Sequence, residues 1–386
     1  MGKKLLSIIL TMAVLIFGGV SEMSVVLANV ENTNDNGMVI IEKENVDIDN
    51  HHYEYISYYK DRNNQSIRII SLKTKEEELV IPSEIDSWPV VALGGKSGEF
   101  FIGSSLKYDN LFPWQMNENQ VLKKIIVPEG VTEIVGIGFM NTKADSIELP
   151  KSLKIIGEMI GNGGFEKSKI SHVIIRGKNT NIGMNAFADS LLKKITLPKD
   201  YQGTIASCAF QGSKLETFKW PSYEENVSKK NGSRVFQSCK NLKKVIFPKN
   251  QKHIYIPEAC FYGCTKLKKL TFPASTKKVT YNWNPYADNY KMGVRTLVFK
   301  GKKTKIVGIK RSSKKNKNVL TVGKIIAPKG SKALAYAKKA KRVKWLAKWV
   351  QRDIRAYSGP TVNYTDGYDG RAIKYAKMKY SVLKKK

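Results

Sequence analysis

A short segment that recurs along the chain constrains its fold more than any other feature. Each copy contains phenylalanine, a small residue three positions later, and then a Leu/Ile-x-x-Ile-x-Leu-Pro pattern or a close variant of it. The copies are "GFMNTKADSIELP" (138–150), "GFEKSKISHVIIR" (164–176), "AFADSLLKKITLP" (186–198), "AFQGSKLETFKWP" (209–221), "VFQSCKNLKKVIFP" (235–248) and "CFYGCTKLKKLTFP" (260–273). Such self-similarity predicts stacked units, each of which buries its apolar side against its neighbours.

The spacing of the units indicates the architecture. Eight steps lead from Pro128 to Pro328, and they range from 22 to 28 residues with an average of 25. This period is typical of a leucine-rich-repeat-like solenoid. The gap from Pro82 to Pro128 is 46 residues, which predicts that residues 98–121 extend the first repeat. The residues that close the units are Pro82, Pro128, Pro150, Arg176, Pro198, Pro221, Pro248, Pro273, Lys300 and Pro328.

Within one unit, alternation separates a buried side from a solvent side. In "LKKIIVP" (122–128), Ile125 and Val127 should point inward from a short strand, while Lys124 and Ile126 point outward. One phenylalanine per unit should fill the back of the coil and stack on its neighbours as core, not as a ligand platform. The predicted column is Phe139, Phe165, Phe187, Phe210, Phe236 and Phe261.

The same alignment explains the C-x₃-C spacing of Cys260 and Cys264. The position of Cys264 is filled in the other units by Thr142, Ser168, Ser190, Ser213 and Cys239. A position shared by cysteine, serine and threonine requires a small side chain, so neither a metal nor a cofactor is predicted. Cys239 and Cys264 would lie in adjacent coils, near the roughly 5–6 Å Cα separation that disulfides favour. A disulfide and a pair of buried free thiols both fit the sequence.

The N-terminus predicts export. Lys3 and Lys4 precede an apolar run over residues 5–17, and residues 26–28 (Val-Leu-Ala) offer a cleavage site, so residues 1–28 are expected to be a signal peptide. The run is short for a membrane span, and no second span follows it. We therefore expect a secreted, extracellular protein, or one that stays associated with the cell surface.

Charge is distributed unevenly. The net charge is +33, yet residues 29–120 hold 8 Lys and Arg against 16 Asp and Glu, whereas residues 291–386 hold 29 against 3. This gradient favours a polyanionic partner near the C-terminal end, although lysines that only keep an exported protein soluble would give the same composition.

Stacking would align one outward strand position of every unit, with a step of about 4.8 Å. That column reads Lys124, Ser146, His172, Lys194, Thr217, Lys244, Lys269, Thr296 and Lys324. Its five lysines form a basic ladder that could follow teichoic acid, an anionic glycan or extracellular nucleic acid. The alternative is that these strand lysines are solvated and discourage aggregation.

The units resemble the BspA-like leucine-rich-repeat proteins, whose repeat reads "AFxxCxxLxxIxIPxSV". The resemblance covers residues 50–340 and implies an exported or surface-exposed protein that binds host proteins or other cells. It also implies that residues 53–94 form the N-terminal hairpin cap and that residues 327–339 contain a closing helix. The expected fold class is an α+β solenoid of short parallel strands with loop or short-helix backs.

The expected domains follow from the signal, the repeats and the resemblance. They are a signal peptide (1–28), a polar leader or linker (29–50), a cap with the first repeat strand (51–97), the solenoid with its closing helix (98–340) and a basic tail (341–386).

Two interpretations of the tail are open. As a helix, residues 338–357 would place Trp345 and Trp349 among Arg342, Lys344 and Lys348, which suits an anionic surface or membrane interface. By analogy with the family, "RVKWL" instead returns as a last strand that caps the core.

Three functions are carried forward, and an enzyme is not expected. "GGKSG" (94–98) lacks the first glycine of a phosphate loop, because Val90 stands there, and His51 and His52 lack a second ligand pair. The leading hypothesis is an adhesin-like binding solenoid. The alternatives are a structural wall-associated protein held by charge, and a hydrolase accessory with a site in the extended first repeat.

Overall fold

Each repeat forms one coil of a β-solenoid with two lines of parallel strands. The computed structural model describes residues 39–48, 51–59, 65–73, 76–94, 122–136, 138–139, 141–157, 163–223, 230–281, 294–308, 319–320, 322–345 and 373–383. The predicted signal peptide and the extended first repeat lie outside these residues.

The strands are named in chain order. The N-terminal half contains β1 (Val39–Ile48), β2 (His51–Tyr59), β3 (Gln65–Lys73), β4 (Glu78–Val80), β5 (Glu84–Ile85), β6 (Trp88–Leu93), β7 (Leu122–Ile126), β8 (Glu133–Ile134), β9 (Lys143–Leu149), β10 (Ile155–Ile156), β11 (Lys169–Ile175) and β12 (Asn181–Ile182). The C-terminal half contains β13 (Lys194–Thr196), β14 (Thr217–Lys219), β15 (Lys244–Ile246), β16 (His253–Ile256), β17 (Lys269–Phe272), β18 (Lys278–Tyr281), β19 (Thr296–Phe299), β20 (Lys305–Gly308), β21 (Val319–Leu320), β22 (Lys324–Ala327), helix α1 (Lys332–Lys339), β23 (Lys341–Trp345), β24 (Ile373–Lys377) and β25 (Lys379–Val382).

The front line of strands is formed by the segments that precede the unit-closing residues. It consists of three hydrogen-bonded panels, β4-β7-β9-β11-β13, β14-β15 and β17-β19-β22-β25, all parallel. The second line runs through β6-β8-β10-β12 and continues as β16-β18-β20. The segments that hold the core phenylalanines are turns, as the predicted loop backs require, and a second line of strands replaces the predicted short helices in the described repeats. The reason is visible in β16 and β18, where buried and partly exposed residues alternate with the period of a strand.

The core is filled as the alternation predicts. Leu122, Ile125 and Val127 are buried, whereas Lys124 and Ile126 are partly exposed. The six predicted phenylalanines stack face to face, with ring centroids 4.7, 5.0, 5.3, 5.3 and 5.7 Å apart along the column. A second stack, absent from the sequence prediction, joins Phe247, Phe272 and Phe299 at 5.1 and 4.9 Å.

The turn after each core phenylalanine has a left-handed backbone. The residue two positions after the phenylalanine has positive φ in all six units: Asn141, Lys167, Asp189, Gly212, Ser238 and Gly263. The small residue that follows donates its N–H to the carbonyl oxygen of the phenylalanine, as at Cys264 to Phe261 (3.2 Å). The side chains at the small-residue position are buried in the stack, which explains why only small residues occupy it.

We expect Gly263→Ala to lower the free energy of unfolding by about 1–2 kcal/mol, the cost of left-handed backbone at a residue with a Cβ. Gly263 has φ 73°, and an added Cβ would lie 3.1 Å from the Cα of Ser238. The matched control is Ser238→Ala, at the same turn position with φ 59° and a Cβ already present. Urea unfolding measures both, and equal losses would contradict the assignment of the effect to the backbone.

The cysteines are free thiols and lie mostly in the core. Cys239, Cys260 and Cys264 are buried, and Cys208 is partly buried. The thiols of Cys239 and Cys264 each donate to the carbonyl oxygen of a phenylalanine in the preceding coil, Phe210 and Phe236, at 2.9 Å. Burial raises the pKa of the Cys264 thiol, and its contact with Cys239 adds to this. Within the described residues, no group of three His, Cys, Asp or Glu is arranged to hold a metal.

The N-terminal end is an antiparallel meander attached to the second line. β1 pairs with β2, β2 with β3, and β3 continues in parallel to β6. The tight β5-β6 hairpin turns at Asp86 and Ser87, both with positive φ, as a two-residue turn between twisted strands requires. The range 29–50, expected to be a linker, therefore contains a ten-residue strand, β1.

The C-terminal end combines one helix with three further strands. Ser331 caps the N-terminus of helix α1, since its hydroxyl accepts a hydrogen bond from the N–H of Leu334 at 3.2 Å, and the helix buries Ala333, Leu334 and Ala337. The chain does not end there, because β23 pairs with β24 and β25 pairs in parallel with β22. Residues 341–345 are thus a strand, and the helical interpretation of 338–357 is wrong in this stretch. The capping role of α1 stays a prediction.

Candidate binding surface

The outward face of the front line carries the predicted lysine column. Within the panels, the strand register aligns Lys124 with Ser146, His172 and Lys194; Thr217 with Lys244; and Lys269 with Thr296 and Lys324. The structure extends the column to Glu78 at its N-terminal end and to Lys379 at its C-terminal end. Its role in binding is still a prediction.

Acidic neighbours neutralise the N-terminal part of this face. Glu148 lies between two cations, with its carboxylate 3.0 Å from the Lys124 ammonium and 2.5 Å from the Arg176 guanidinium. Hydrogen bonds from Arg176, and then from Lys124, lower the pKa of Glu148. Lys123 forms a further ion pair with Glu77. Lys124 is therefore a weak member of the predicted ladder, because its charge is already paired.

The balance changes after the coil that contains Glu216. That carboxylate pairs with Lys243 at 3.1 Å. Among the described residues from 230 onward, Glu258 is the only acidic residue. The described front strands from β15 to β25 consequently contain lysines but no carboxylate of their own, and Glu216 borders them only at β15. We call this the basic front surface, and it comprises Lys244, Lys268, Lys269, Arg295, Lys324 and Lys379.

An apolar row accompanies these cations. Two residues beyond the lysine column, the front strands place Ile246, Val298 and Ile326 on the same outward face. Ile246 is 37% exposed, and the other two are partly buried. The surface thus offers ammonium and guanidinium donors beside aliphatic side chains, which suits the binding of anionic groups carried on a less polar chain.

The comparison with protein families covers most of the stacked coils. Residues 114–160 and 158–288 match the model of the BspA type leucine rich repeat region, in six copies. Residues 114–288 belong to the BspA-type leucine-rich-repeat family. The family predicted from the repeated units is thereby confirmed. The BspA-type solenoid continues beyond the match, since β19, β22 and β25 extend the last front panel.

Solved structures of bacterial repeat proteins are also similar to this chain. They include a leucine rich cell surface protein from Faecalibacterium prausnitzii A2-165 (14% identity, 68% of this chain and 90% of that chain covered, TM-score 0.30), a leucine-rich repeat protein from Bacteroides ovatus ATCC 8483 (15%, 73%, 84%, 0.33) and the T. pallidum Leucine Rich Repeat protein (18%, 66%, 83%, 0.28). No curated protein sequence matches the chain.

Histidine adds no charge to the BspA-type solenoid face near neutral pH. Burial, and then the neighbouring Lys194, lower the pKa of His172. Its Nε2 lies 2.9 Å from the Thr196 hydroxyl, so the ring is held by a neutral hydrogen-bonding partner. The neighbouring Lys194 is exposed on β13, which belongs to the first panel, whereas the basic front surface lies on the second and third panels.

Only some residues of the predicted tail site lie in the described part of the chain. Arg342, Lys344 and Trp345 lie on β23, in a sheet with β21 and β24 and not in the front line. Lys348 and Trp349 lie outside the described residues. No helix in the described part of the chain combines the length and apolarity that crossing a membrane requires.

Sequence reasoning missed Arg295 and Lys379 of the basic front surface, and it noted Lys268 only as a lysine that precedes the ladder position. Lys268 and Arg295 precede the ladder position by one residue, where strand alternation predicts the opposite face. Both are exposed because the chain enters each front strand through an irregular step, with buried Leu267 and Val294 before them. Lys379 was missed because its strand lies in the segment treated as tail. The alternation in "MKYSVL" (378–383) is the signal that could have revealed it.

We expect Glu148→Gln to extend the basic surface toward the N-terminus. Releasing Lys124 and Arg176 adds two unpaired cations, so the slope of log binding constant against log salt for a linear polyanion should steepen by up to about 1.8. The same change should also remove the contribution of Glu148 to the pH dependence of the free energy of unfolding. A carboxylate with lowered pKa stabilises the fold above its unfolded pKa, and this contribution is lost as pH falls through the folded value.

The measurement is a salt series of polyphosphate binding together with thermal melts from pH 7 to pH 3. Glu216→Gln, which frees only Lys243, is the matched control. An unchanged salt slope for Glu148→Gln would show that Lys124 and Arg176 take no part in binding.

Proposed function

We propose that this protein is a non-enzymatic binding scaffold, exported or displayed at the cell surface, whose basic front surface engages an anionic polymer such as teichoic acid or an anionic glycan. One observation supports the proposal: the front line has a charge-paired N-terminal part, whereas its described strands from β15 to β25 contain lysines but no acidic residue. The expected N-terminal signal and the BspA-type family support an extracellular location.

The chemistry of the surface fits binding better than catalysis. Ammonium and guanidinium groups about 4.8 Å or a multiple of it apart form a regular line of positive charge. The matched family model is a repeat region, and no catalytic family is indicated. Linear repetition on the protein suits linear repetition in the ligand, since each repeat of an anionic chain can meet a comparable group.

The test measures binding of the mature chain, residues 29–386, to immobilised polyphosphate, heparin and neutral dextran at 50 to 500 mM salt. We expect saturable binding to both polyanions that weakens steeply with salt, and no binding to dextran. Equal retention on dextran, or affinity for the polyanions that salt does not change, would refute the proposal. Deleting residues 341–386 is not a clean test, because it removes β25 from the front sheet.

A further inference from the structure

We propose that the C-terminal edge of the front sheet, strand β25, binds an extended peptide from another protein in which acidic and apolar residues alternate. This site is distinct from polymer binding along the face, because it uses the backbone of one strand. In the part of the chain that the structure describes, β25 is hydrogen-bonded to β22 alone, and no other described strand pairs with its second edge.

The backbone of β25 is oriented for a further strand. In earlier coils, the residue at the last inward strand position donates its N–H to the next coil. Examples are Val127 to Glu148 (3.1 Å), Ile81 to Ile126 (3.0 Å) and Trp220 to Ile246 (2.9 Å). Val382 occupies this position in its own coil, so its N–H is directed to the place where a following strand would lie. Leu383, by contrast, donates back to Ala327 at 2.9 Å.

Two apolar side chains mark the same edge. Tyr380 and Val382 align with Ile325 and Ala327, which are fully buried, yet they are 47% and 51% exposed. They are exposed because β25 is the last described strand of its sheet, so no further described coil covers its inward positions. An added strand with apolar residues at those two positions would remove this surface from water.

Charge defines the rest of the ligand. Lys379 is exposed at the first outward position of β25, so an acidic residue is favoured at the facing outward position of the incoming strand. The first panel, at the opposite end of the front line, illustrates the pattern. Glu78 stands at the position of β4 that corresponds to Lys379 in β25, and Leu79 and Ile81 stand at the positions that correspond to Tyr380 and Val382.

A second copy of the chain is a poorer occupant than a free peptide. Next to the coil of β4, the second line runs on through β3, β2 and β1, whereas α1 packs beside β20, β22 and β25 at the other end. If β4 of another copy continued the stack after β25, its three-stranded meander would have to occupy the space of α1 and β20. An extended peptide meets no such obstacle.

The test uses fluorescence anisotropy with the labelled peptide Glu-Glu-Glu-Leu-Val-Ile, the sequence of residues 76–81, at moderate salt. Val382→Pro removes the outward N–H while leaving the bonds to β22, and Val382→Thr is the matched control that keeps it. We expect saturable binding to the wild-type chain, at least tenfold weaker binding to the proline variant, and little change for threonine. Lys379→Glu should weaken this peptide and favour Lys-Lys-Lys-Leu-Val-Ile.

Further measurements distinguish a loss of peptide binding from a loss of polymer binding and from misfolding. Thermal melts and polyphosphate affinity should be the same for Val382→Pro and wild type. If the proline variant is destabilised, the double variant Tyr380→Glu/Val382→Glu, which changes only exposed side chains, takes its place. Binding of neither peptide, or binding unaffected by these changes, overturns the proposal. Self-association of the wild-type chain that Val382→Pro abolishes would replace the peptide by a second copy.

Discussion

Phe210→Ala should lower the free energy of unfolding by about 3–5 kcal/mol, the range for deleting a buried phenylalanine from a packed core. The ring is fully buried between Phe187 and Phe236, 5.3 Å from each, and it also contacts Phe218 at 5.8 Å. Because it lies in the middle of the column, its loss should weaken coupling between the two halves and broaden the urea transition.

The control for this effect is Leu191→Ala, which truncates an apolar side chain of the preceding coil that is 42% exposed. We expect its cost to stay within about 0.5 kcal/mol. Circular dichroism in urea measures both variants. Similar losses for the two would show that the phenylalanine column is not the main support of the stack.

Reversal of four charges on the basic front surface should abolish polyanion binding. The variant combines Lys244→Glu, Lys269→Glu, Lys324→Glu and Lys379→Glu. If those four lysines meet four anionic groups, wild-type affinity should fall roughly 10²-fold between 50 and 200 mM salt, from a slope of about −0.9 for each contact. The variant should lose this salt dependence together with its binding.

A control variant with the same change in net charge tests whether binding depends on where the lysines lie or only on the net charge of the protein. Lys151→Glu, Lys154→Glu, Lys178→Glu and Lys199→Glu alter four exposed lysines outside the front strands. Binding to polyphosphate by surface plasmon resonance should weaken less than about tenfold in this set, through long-range attraction alone. Equal losses in both sets would refute a defined surface and favour general attraction by a basic protein.

The stacking of the coils could be predicted from the sequence because each unit repeats the same short pattern of residues. Phenylalanine, a small residue and alternating apolar positions recur at matched offsets, and the strand register reproduces the column of Lys124, Ser146, His172 and Lys194. The position of each side chain in a column follows from the sequence of its own coil, so it can be predicted without information about distant parts of the chain.

The features that were missed depend on neighbouring coils or on very short elements. The Lys124–Glu148 pair joins residues of adjacent coils, and its geometry requires the register between two strands. Strands such as β8 and β10 have two residues each, too few to show a period. The secondary structure of the tail was also ambiguous from sequence. The segment "ALAYAK" is helical in α1, whereas the similar segment "AIKYAK" contains strand β24.

The panelled front sheet has a mechanical consequence. Strands of one coil are hydrogen-bonded only to adjacent coils, and the front ladder is interrupted between β13 and β14 and between β15 and β17. A coil of 25 residues occupies about 4.8 Å of the axis when folded, yet its chain spans about 85 Å when drawn straight. Pulled from its two ends, the protein should therefore lengthen in discrete steps, coil by coil, and act as an extensible tether that yields first at the interrupted joints.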